Sequence, residues 1–380
     1  MNILILGAGM MGRAIVYDLV KYSKFETITL ADKHYSTLKT CKWIDNNKIK
    51  FLKIDITQNI KKIFNKNDII ISAIPYKFNL KLTKTAIETK TNFLDLGGNN
   101  EIVKNQLALS AEAKKKNVTI IPDCGLAPGL TSILTRDIVQ TMEKIDYVKI
   151  RVGGLPINPK PPLNYQIVFS PNGLINEYVE KSIILDHGKI IEKESMTEIE
   201  PISFSSPYEK MEAFLTSGGS SNLPHVYKNK IDYLDYKTIR YPDHCKSFKN
   251  LLSLGLADEK PIIIGKKKII PRDVFSSLLL KNLPNNEEDV VLLKVSSEGT
   301  IKGEKKRLEY TMIDHYDHKS NITAMMRTTA YPTSIIAQLI ENKQISNHGV
   351  YCPHEIVPCK PFFKEIKKRN IIINKKLTAL

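Results

Sequence analysis

A glycine-rich hexapeptide near the N-terminus is the segment of this 380-residue chain that points most directly to ligand binding. The residues GAGMMG at positions 7–12 follow an apolar run and precede a helical pattern. In a G-x-G-x-x-G turn, the first glycine permits a tight bend, the second lets a pyrophosphate approach the backbone, and the third lets helix and strand pack closely. Free N–H groups at the helix start would hold the phosphates. The hexapeptide therefore predicts a dinucleotide site, with a plain strand-to-helix turn as the alternative.

Two aspartates fit the same site. Asp32 follows the second apolar run, 20 residues after Gly12, where a carboxylate accepts hydrogen bonds from an adenosine ribose and repels a 2′-phosphate. NAD is thus favoured over NADP, although the adjacent Lys33 and His34 soften that preference. Asp55 follows the third run and is predicted beside the adenine, with a simple loop residue as the alternative.

Further residues of this site follow the fourth and fifth apolar runs. Ligands of doubly wound sheets bind outside the carboxyl ends of the strands, so Tyr76 and Asp95 are expected in a cleft beside the nicotinamide. A packed tyrosine ring with a solvated hydroxyl is the alternative for Tyr76. The predicted cofactor site comprises Gly7, Gly9, Met10, Met11, Gly12, Asp32, Asp55, Ala73, Pro75 and Gly125.

An alternation of short apolar runs and amphipathic stretches must position these residues. Strands are predicted at residues 3–6, 28–30, 51–54, 69–71, 93–94 and 118–121, and helices at 13–20, 80–88 and 103–115. Continuously apolar strands are typical of a parallel sheet covered on both faces. The strand–helix–strand order predicts an α/β fold whose N-terminal part is a doubly wound Rossmann domain.

The pattern changes after a Gly- and Pro-rich loop at residues 123–129. Strands predicted at 148–152, 290–295 and 308–312, together with helices at 246–254 and 272–281, indicate a second, α+β domain for substrate binding and dimerisation. We therefore expect a Rossmann domain at residues 1–124 and a substrate domain at 125–326. A C-terminal helix and tail at 327–380 are expected to pack back on the Rossmann domain.

Several longer segments resemble one enzyme family. They are DLGG at 95–98, PDCGLAPG at 122–129, VGGLP at 152–156, PPLNY at 161–165, EAFLTSGG at 212–219, YKTIRYPDH at 236–244, RTTAY at 327–331 and HGVY at 348–351. With the dinucleotide turn, they make nearly the whole chain resemble the saccharopine dehydrogenase-like family, and within it the lysine 6-dehydrogenases. The resemblance also suggests a homodimer or a larger homo-oligomer.

This resemblance implies an NAD-dependent oxidation of the side-chain amine of L-lysine. The products would be NADH, ammonia and 2-aminoadipate 6-semialdehyde, which cyclises to a piperideine carboxylate. The amine must lose its proton before hydride leaves the ε-carbon, and water must then be activated, so a proton acceptor working near the operating pH is required. Candidate catalytic residues are Tyr76, Asp95, Asp123 and His244, with Tyr76 as a proton relay. A purely structural histidine is the alternative for His244.

The blocks at 212–219 and 236–244 supply candidates for substrate binding. A guanidinium forms two parallel hydrogen bonds with a carboxylate, so Arg240 is expected to bind the α-carboxylate, with a surface salt bridge as the alternative. Glu212 is a possible partner for the α-amine. The predicted substrate site comprises Arg240, Glu212, Ser217, Gly218 and Thr238. A plain flexible turn is the alternative for the serine–glycine run.

Other functions stay open at this stage. A saccharopine or carboxynorspermidine dehydrogenase of the same superfamily would need a second carboxylate clamp, which the sequence does not locate. A protein that binds NAD as a sensor without turnover would not need Arg240 or His244. The net charge of +16 suggests a polyanion, but no basic stripe interleaved with aromatic residues indicates a nucleic-acid partner. A cationic substrate instead predicts a locally acidic cleft.

Cysteine use and hydropathy bear on the compartment. The five cysteines are spread without a C-x-x-C pair, so neither a disulfide framework nor a metal site is expected. No apolar run reaches the roughly 18 residues of a membrane span, and no basic leader precedes the first strand. The sequence therefore predicts a soluble cytoplasmic protein.

Overall fold

The computed structural model describes residues 1–39, 47–58, 60–285 and 287–380. The chain forms two compact units. The first comprises Met1–Thr141, Ser221–Leu223 and Met326–Ile372, and the second comprises Met142–Ser220, Pro224–Met325 and Ile373–Leu380. The first unit thus extends beyond residue 124, where the sequence placed the boundary, and the last residues of the tail belong to the second unit.

Residues 1–141 alternate strands with helices. The strands are β1 (Asn2–Leu6), β2 (Thr27–Asp32), β3 (Ile49–Lys53), β4 (Ile69–Ser72), β5 (Asn92–Asp95) and β6 (Thr119–Ile121). The helices are α1 (Met10–Tyr22), α2 (Tyr35–Lys39), α3 (Lys61–Phe64), α4 (Asn79–Thr89), α5 (Asn100–Leu107), α6 (Ser110–Lys115) and α7 (Leu130–Thr141), with a 3-10 turn at Tyr76–Phe78.

Residues 142–323 contain most of the strands. They are β7 (Lys144–Pro156), β8 (Ser182–Asp186), β9 (Lys189–Lys193), β10 (Glu200–Ile202), β11 (Met211–Leu215), β12 (Ile231–Arg240), β13 (Ile262–Ile264), β14 (Lys267–Ile269), β15 (Asp289–Ile301) and β16 (Glu304–His315). The helices are α8 (Pro171–Val179), α9 (Leu223–Tyr227), α10 (His244–Ser253) and α11 (Pro271–Asn282). The remaining elements are α12 (Ala324–Glu341), β17 (Gly349–Val350), α13 (Pro353–Ile356), α14 (Cys359–Lys368) and β18 (Asn374–Ala379).

The sheet of the first unit is parallel throughout, in the order β17-β6-β5-β4-β1-β2-β3. The apolar residues of β1 and β4 are fully buried, because helices cover both faces of a doubly wound sheet. The predicted Rossmann domain is therefore confirmed. The two-residue strand β17, which the sequence did not reveal, adds a seventh position beside β6.

A buried ion pair fixes the C-terminal helix within the first unit. Asp18 of α1 accepts hydrogen bonds from Nε and Nη2 of Arg369 at 2.7 and 2.9 Å. Ser334 of α12 donates to the same carboxylate at 2.6 Å. Because both charges are buried and fully bonded, the contact holds three distant stretches of sequence in one register.

The second unit is built on a mixed sheet. Its strands follow the order β10-β11-β12-β7-β15-β16-β18, with β8 and β9 attached to β12. The pair β12–β7 is parallel, whereas β15 runs antiparallel to both β7 and β16. Side chains alternate along β12, so Tyr236, Thr238 and Arg240 share one face of the sheet. The predicted second α+β domain is thus confirmed, and its sheet is mixed.

An apolar cluster covers part of this unit. It joins the segment around Leu163 with α8, α10 and α11, and includes Tyr165, Tyr178, Phe214 and Phe248. In the part of the protein that the structure describes, no helix combines the length and apolar character needed to cross a bilayer.

Candidate functional site

The glycine turn between β1 and α1 has the geometry that the hexapeptide predicts. Gly7 has φ 99°, and a Cβ atom there would lie 2.6 Å from the carbonyl oxygen of Ala73. A Cβ on Gly12 would lie 1.8 Å from the carbonyl oxygen of Gly7, so only glycine lets α1 pack this closely. By contrast, no atom of the residues that the structure describes lies within 4 Å of the Cβ position of Gly9. The fold requires Gly7 and Gly12, while Gly9 leaves room beside the helix N-terminus for a phosphate.

Asp32 is hydrogen-bonded to the same turn. Its Oδ2 accepts from the backbone N–H of Ala8 at 2.8 Å, and its Oδ1 accepts from that of His34 at 2.8 Å. The carboxylate is therefore held at the end of β2, where a dinucleotide ribose would meet it, and these residues fit such a group. Asp55 accepts from the backbone and hydroxyl of Thr57 and pairs with Lys33 at 3.1 Å. These contacts lower the pKa of Asp55 to about 2.

The other predicted cofactor residues lie near the carboxyl ends of the central strands. Ala73 donates its N–H to the carbonyl of Leu6 at 2.8 Å, which joins the turn after β4 to β1. Pro75 is exposed, and the half-buried Tyr76 begins the 3-10 turn. A Cβ on Gly98 would lie 3.1 Å from Cδ1 of Tyr76, so the ring rests against this backbone.

Met10, Met11 and Gly125 complete the predicted set. The two methionines are partly buried in the first turn of α1. A Cβ on Gly125 would lie 3.3 Å from the carbonyl oxygens of Leu96 and Pro128. Gly125 therefore supports the tight loop between β6 and α7.

A buried carboxyl group ends β5. Asp95 is fully inaccessible, and its Oδ1 accepts from the N–H of Gly97 at 2.8 Å. Its Oδ2 accepts from Nε2 of Gln106 at 2.7 Å. Burial raises the pKa of Asp95 to about 6, although these hydrogen bonds favour the charged form and oppose the rise.

Asp123 lies beside Asp95 in the loop after β6. Its backbone has φ 61°, its N–H points to Oδ1 of Asp95 at 3.4 Å, and its Oδ2 accepts a hydrogen bond from the hydroxyl of Ser221. Burial, reinforced by the nearby charge of Asp95, raises the pKa of Asp123 to about 7. The structure thus brings together two of the predicted catalytic residues, and their carboxyl groups can take up and release a proton near neutral pH.

Arg240, in the second unit, ends β12 among aromatic rings and is only 3% exposed. Its Nε donates to the hydroxyl of Tyr178 at 2.9 Å, and Nη1 donates to the carbonyl of Ile239 at 2.9 Å. The guanidinium carbon lies 4.8 Å from the centre of the Tyr165 ring. Among the described residues, no acceptor bonds Nη2 and no carboxylate forms an ion pair with this arginine. One edge of the guanidinium is therefore available to a planar anion.

His244 occupies a different environment from that of a general base. Its Nδ1 lies 2.8 Å from the carbonyl oxygen of Leu163, which can only accept, so Nδ1 carries the proton. Nε2 then accepts from the hydroxyl of Tyr178 at 3.0 Å. Burial, with a smaller contribution from Arg240, lowers the pKa of His244 to about 3. The expectation that His244 takes up a proton near neutrality does not fit this site, because the ring stays neutral with both nitrogens bonded.

Glu212 also differs from its predicted role as a partner for the substrate amine. Its carboxylate accepts from the N–H groups of Asp243 at 3.0 Å and Cys245 at 2.7 Å, so it caps the start of α10. Glu177 of α8, which no sequence motif singled out, is a better candidate. No described residue donates a hydrogen bond to its carboxylate. Burial raises the pKa of Glu177 to about 7, and the charge of nearby Arg240 opposes that rise.

The three remaining substrate candidates, Ser217, Gly218 and Thr238, also belong to the second unit. The hydroxyl of Ser217 donates to the carbonyl of Asn176 at 3.4 Å, and Thr238 shares a buried hydrogen bond with Thr216 at 2.7 Å. Gly218 has φ 85°, and in the described part of the chain no atom lies within 4 Å of its Cβ position. Ser217 and Thr238 are therefore engaged in internal contacts, whereas the backbone of Gly218 is open.

Four residues outside the sequence-based candidates complete these two groups. They are Tyr165, Glu177, Tyr178 and Ser221. Tyr165 belongs to the PPLNY segment, and Ser221 is the last residue of the serine–glycine run at 217–221, so a sequence pattern pointed to both. Glu177 and Tyr178 lie in no motif and reach Arg240 only through folding. Within the described ranges, no group of three or more His, Cys, Asp or Glu side chains is arranged to hold a metal ion.

Two family models match almost the whole sequence. The model for the saccharopine dehydrogenase NADP binding domain matches residues 3–121, and that for the saccharopine dehydrogenase C-terminal domain matches residues 125–372. The Saccharomyces cerevisiae saccharopine dehydrogenase [NADP(+), L-glutamate-forming] is 20% identical over 100% of this chain and 99% of its own length. The rat mitochondrial alpha-aminoadipic semialdehyde synthase is 20% identical over 99% of this chain, which spans 48% of that relative.

Solved structures show the same fold. Apo saccharopine dehydrogenase (L-Glu forming) from S. cerevisiae superposes with a TM-score of 0.80 at 20% identity, covering 100% of both chains. The Legionella pneumophila homospermidine synthase in complex with NAD has a TM-score of 0.67 at 15% identity, covering 100% of this chain and 92% of that one. With both domain models matched in sequence order, this chain belongs to the saccharopine dehydrogenase family.

Proposed function

We propose that this protein is an NAD(P)-dependent dehydrogenase that oxidises L-lysine at the bond between its ε-carbon and ε-nitrogen, releasing ammonia and 2-aminoadipate 6-semialdehyde. The observation that carries the proposal is the buried Arg240, whose guanidinium has one edge that no described residue bonds. The carboxylate of Glu177, to which no described residue donates a hydrogen bond, is close enough for the charge of Arg240 to affect its pKa. A cation and an anion side by side match the α-carboxylate and α-ammonium of a free amino acid.

The surroundings of Arg240 strengthen this match. The tyrosine rings exclude water, and a charge-assisted hydrogen bond gains strength where the local dielectric is low. No described carboxylate forms an ion pair with the guanidinium, so its free edge is available to the substrate. Binding the α-carbon end of lysine here leaves the ε-amine as the reacting end.

Asp123 is proposed as the proton acceptor. The ε-ammonium of lysine must lose a proton before its carbon can be oxidised, and a carboxylate with a pKa of about 7 can accept that proton at neutral pH. The hydroxyl of Ser221, which donates to Asp123, is placed to pass the proton on. The nearby Asp95 helps to keep the pKa of Asp123 close to neutral pH, because two adjacent buried carboxyl groups resist double ionisation. Tyr76 remains the proposed relay at the outer end.

The cofactor proposed for this site is NAD. When bound, a nicotinamide dinucleotide supplies the hydride acceptor for the oxidation. Gly9 and the start of α1 would hold its pyrophosphate, and the carboxylate of Asp32 would accept from a ribose hydroxyl and repel a 2′-phosphate. The family model is described as NADP-binding, and Lys33, although paired with Asp55, stands next to Asp32. Both cofactors therefore belong in the assay.

A second candidate substrate is saccharopine, which the names of several relatives favour. Saccharopine carries three carboxylates and would need further cationic groups. In the second unit, Arg151 and Lys237 point to the other face of the sheet from Arg240 and are bonded to Asp235 and Glu200. This arrangement favours an amino acid with one carboxylate. We also propose that the chain assembles as a homo-oligomer. Carboxynorspermidine as the substrate and a sensor role without turnover are the remaining alternatives.

The deciding experiment is a spectrophotometric assay of NAD(P)H formation at 340 nm by the purified protein. L-Lysine, saccharopine and L-ornithine are each offered with NAD and with NADP. We expect lysine with NAD to give the highest kcat/KM. Reduction with saccharopine alone would favour the second candidate, and no reduction with any substrate would refute both.

The carboxylate contact is tested with cadaverine, which is lysine without its carboxylate. Arg240→Ala should raise the KM for lysine at least tenfold, the effect of losing about 1.4 kcal/mol of binding, while the KM for cadaverine stays unchanged. The matched control is Lys246→Ala, which removes a positive charge from the nearby helix α10. A proportional loss for both substrates in Arg240→Ala would contradict the carboxylate contact.

A further inference from the structure

We propose that His244 and Tyr178 are positioning residues that hold the Arg240 guanidinium in the orientation needed to bind a carboxylate. The Arg240 relay comprises the Leu163 carbonyl, His244, Tyr178 and Arg240. Its ligand, the α-carboxylate of an amino acid, rests on the proposed function, whereas the relay itself rests on hydrogen bonds within the second unit.

The direction of every hydrogen bond in the relay is fixed by its ends. Arg240 can only donate, so the Tyr178 oxygen accepts from Nε at 2.9 Å. The Leu163 carbonyl can only accept, so His244 donates from Nδ1 at 2.8 Å. Tyr178 must then donate its hydroxyl proton to Nε2 of His244 at 3.0 Å. One tautomer of a neutral histidine satisfies all three contacts. A protonated His244 would reverse the middle hydrogen bond and leave the Tyr178 hydroxyl proton without an acceptor among the described residues.

Aromatic packing prevents the relay from rotating. The His244 ring stacks on Phe248 with centroids 5.7 Å apart and an interplanar angle of 30°. Tyr178 meets Phe248 edge-on at 4.7 Å and 86°. Both side chains are at most 2% exposed, so no bulk water competes for their polar atoms. The backbone carbonyl of Leu163 thereby fixes the orientation of Arg240 through His244 and Tyr178.

A neutral partner has a specific advantage at this position. A carboxylate bonded to Nε would orient the guanidinium equally well, but it would neutralise the charge that an incoming anion needs. A phenol hydroxyl backed by a neutral imidazole orients the side chain and leaves its charge uncompensated. The consequence is an arginine that is rigid, desolvated and still available to a ligand, which lowers the cost of ordering it on binding.

Two substitutions of similar size separate this role from simple packing. The amide of His244→Gln can place an acceptor near the former Nε2, whereas the amide of His244→Asn reaches only the former Nδ1 and bonds Leu163. We expect His244→Asn and Tyr178→Phe to raise the KM for lysine about tenfold with kcat within about twofold of wild type. His244→Gln should keep the KM within about threefold. Equal KM values in the Gln and Asn variants would overturn the relay.

A spectroscopic measurement tests the relay without relying on turnover. In protein labelled with ¹⁵N-histidine, the two-bond ¹H–¹⁵N spectrum should show for His244 a protonated Nδ1 and an unprotonated Nε2 from pH 5 to pH 8. The signal is assigned by its loss in His244→Gln, and Tyr178→Phe should shift Nε2. The opposite tautomer, or titration within this range, would refute the relay. Wild-type protein with this signature but no turnover would instead refute the proposed function and leave the relay intact.

Discussion

Replacing Asp123 with asparagine should make the protein more stable and inactive. Folding raises the pKa of this carboxyl group from 3.8 to about 7, because burial disfavours the charged form. At pH 8 the group is ionised in both states, and ionisation favours the unfolded chain. This rise in the pKa of Asp123 corresponds to a loss of roughly 4 kcal/mol in the free energy of unfolding, as an upper bound. Asparagine removes this penalty, keeps an acceptor for Ser221, and tolerates the left-handed backbone at φ 61°.

The expected gain is smaller than that bound, because the new amide NH₂ must find acceptors in a buried site. We expect an increase of about 1–2 kcal/mol in the free energy of unfolding at pH 8, equivalent to several degrees in Tm. The gain depends on pH with a definite sign. Below pH 3.8 the wild-type carboxyl group is neutral in both states, and stability is lost as the pH rises towards 7. The advantage of the variant should therefore be largest above pH 7 and shrink steadily as the pH falls to 4.

Thermal and urea unfolding of both proteins at pH 8, 6 and 4 measure this gain. The same preparations should show that Asp123→Asn abolishes NADH formation, while in the wild type kcat/KM falls as the pH drops below 7 and the base is protonated. A variant that is less stable than wild type at pH 8, or a gain independent of pH, would refute the assigned protonation behaviour of Asp123.

Three further pairs of substitutions test the fold and the site. Gly12→Ala should abolish dinucleotide binding in a fluorescence titration, because its Cβ would lie 1.8 Å from a carbonyl oxygen. Gly9→Ala, whose Cβ would have no described atom within 4 Å, should keep wild-type thermal unfolding and only weaken binding. Equal destabilisation by the two variants would contradict this difference. Glu212→Ala should lower the free energy of unfolding by about 1 kcal/mol, because a helix cap is lost, and should leave the KM for lysine unchanged. Glu177→Gln should raise the KM for lysine. The reverse result would restore the amine-binding role to Glu212. Arg369→Ala should lower the free energy of unfolding in urea by about 3–5 kcal/mol, since it leaves the buried Asp18 without its counterion. The control Lys368→Ala, which removes an exposed ion pair with Glu365, should lower it by less than about 1 kcal/mol. Similar losses in both variants would contradict the distinction between the buried and the exposed ion pair.

Local sequence patterns predicted the elements that depend on local physics. The apolar runs corresponding to β1, β4, β5 and β6, together with Gly7 and Gly12, were recognisable because burial on both faces and close backbone approach each restrict residue type. The strand β17 was not, because two residues carry no periodicity and pair with β6 only after folding.

The candidate site was predictable to the same extent. Arg240 and the two aspartates ended strands or followed them, and the structure places each in a buried polar cluster. Burial itself is not visible in the sequence, so the sequence leaves His244 open between a base and a structural histidine. Its buried surroundings keep the ring neutral, which fits the structural alternative. Glu177 and Tyr178 lie about sixty residues before Arg240 and meet it only because α8 packs near the end of β12, a long-range contact that no local pattern encodes.

The first unit combines segments from both ends of the described sequence, which are synthesised at different times. The glycine turn is translated well before two parts of the first unit that stabilise it. The strand that covers the edge of β6 comes from residues 349–350, and the arginine that pairs with Asp18 is residue 369. A nascent polypeptide released after Thr141 would carry an unpaired β-edge and a buried acid without its counterion, both of which favour aggregation. The dinucleotide-binding unit is thus not a transplantable module, and gene fragments that separate it from the C-terminal segment should not yield folded protein.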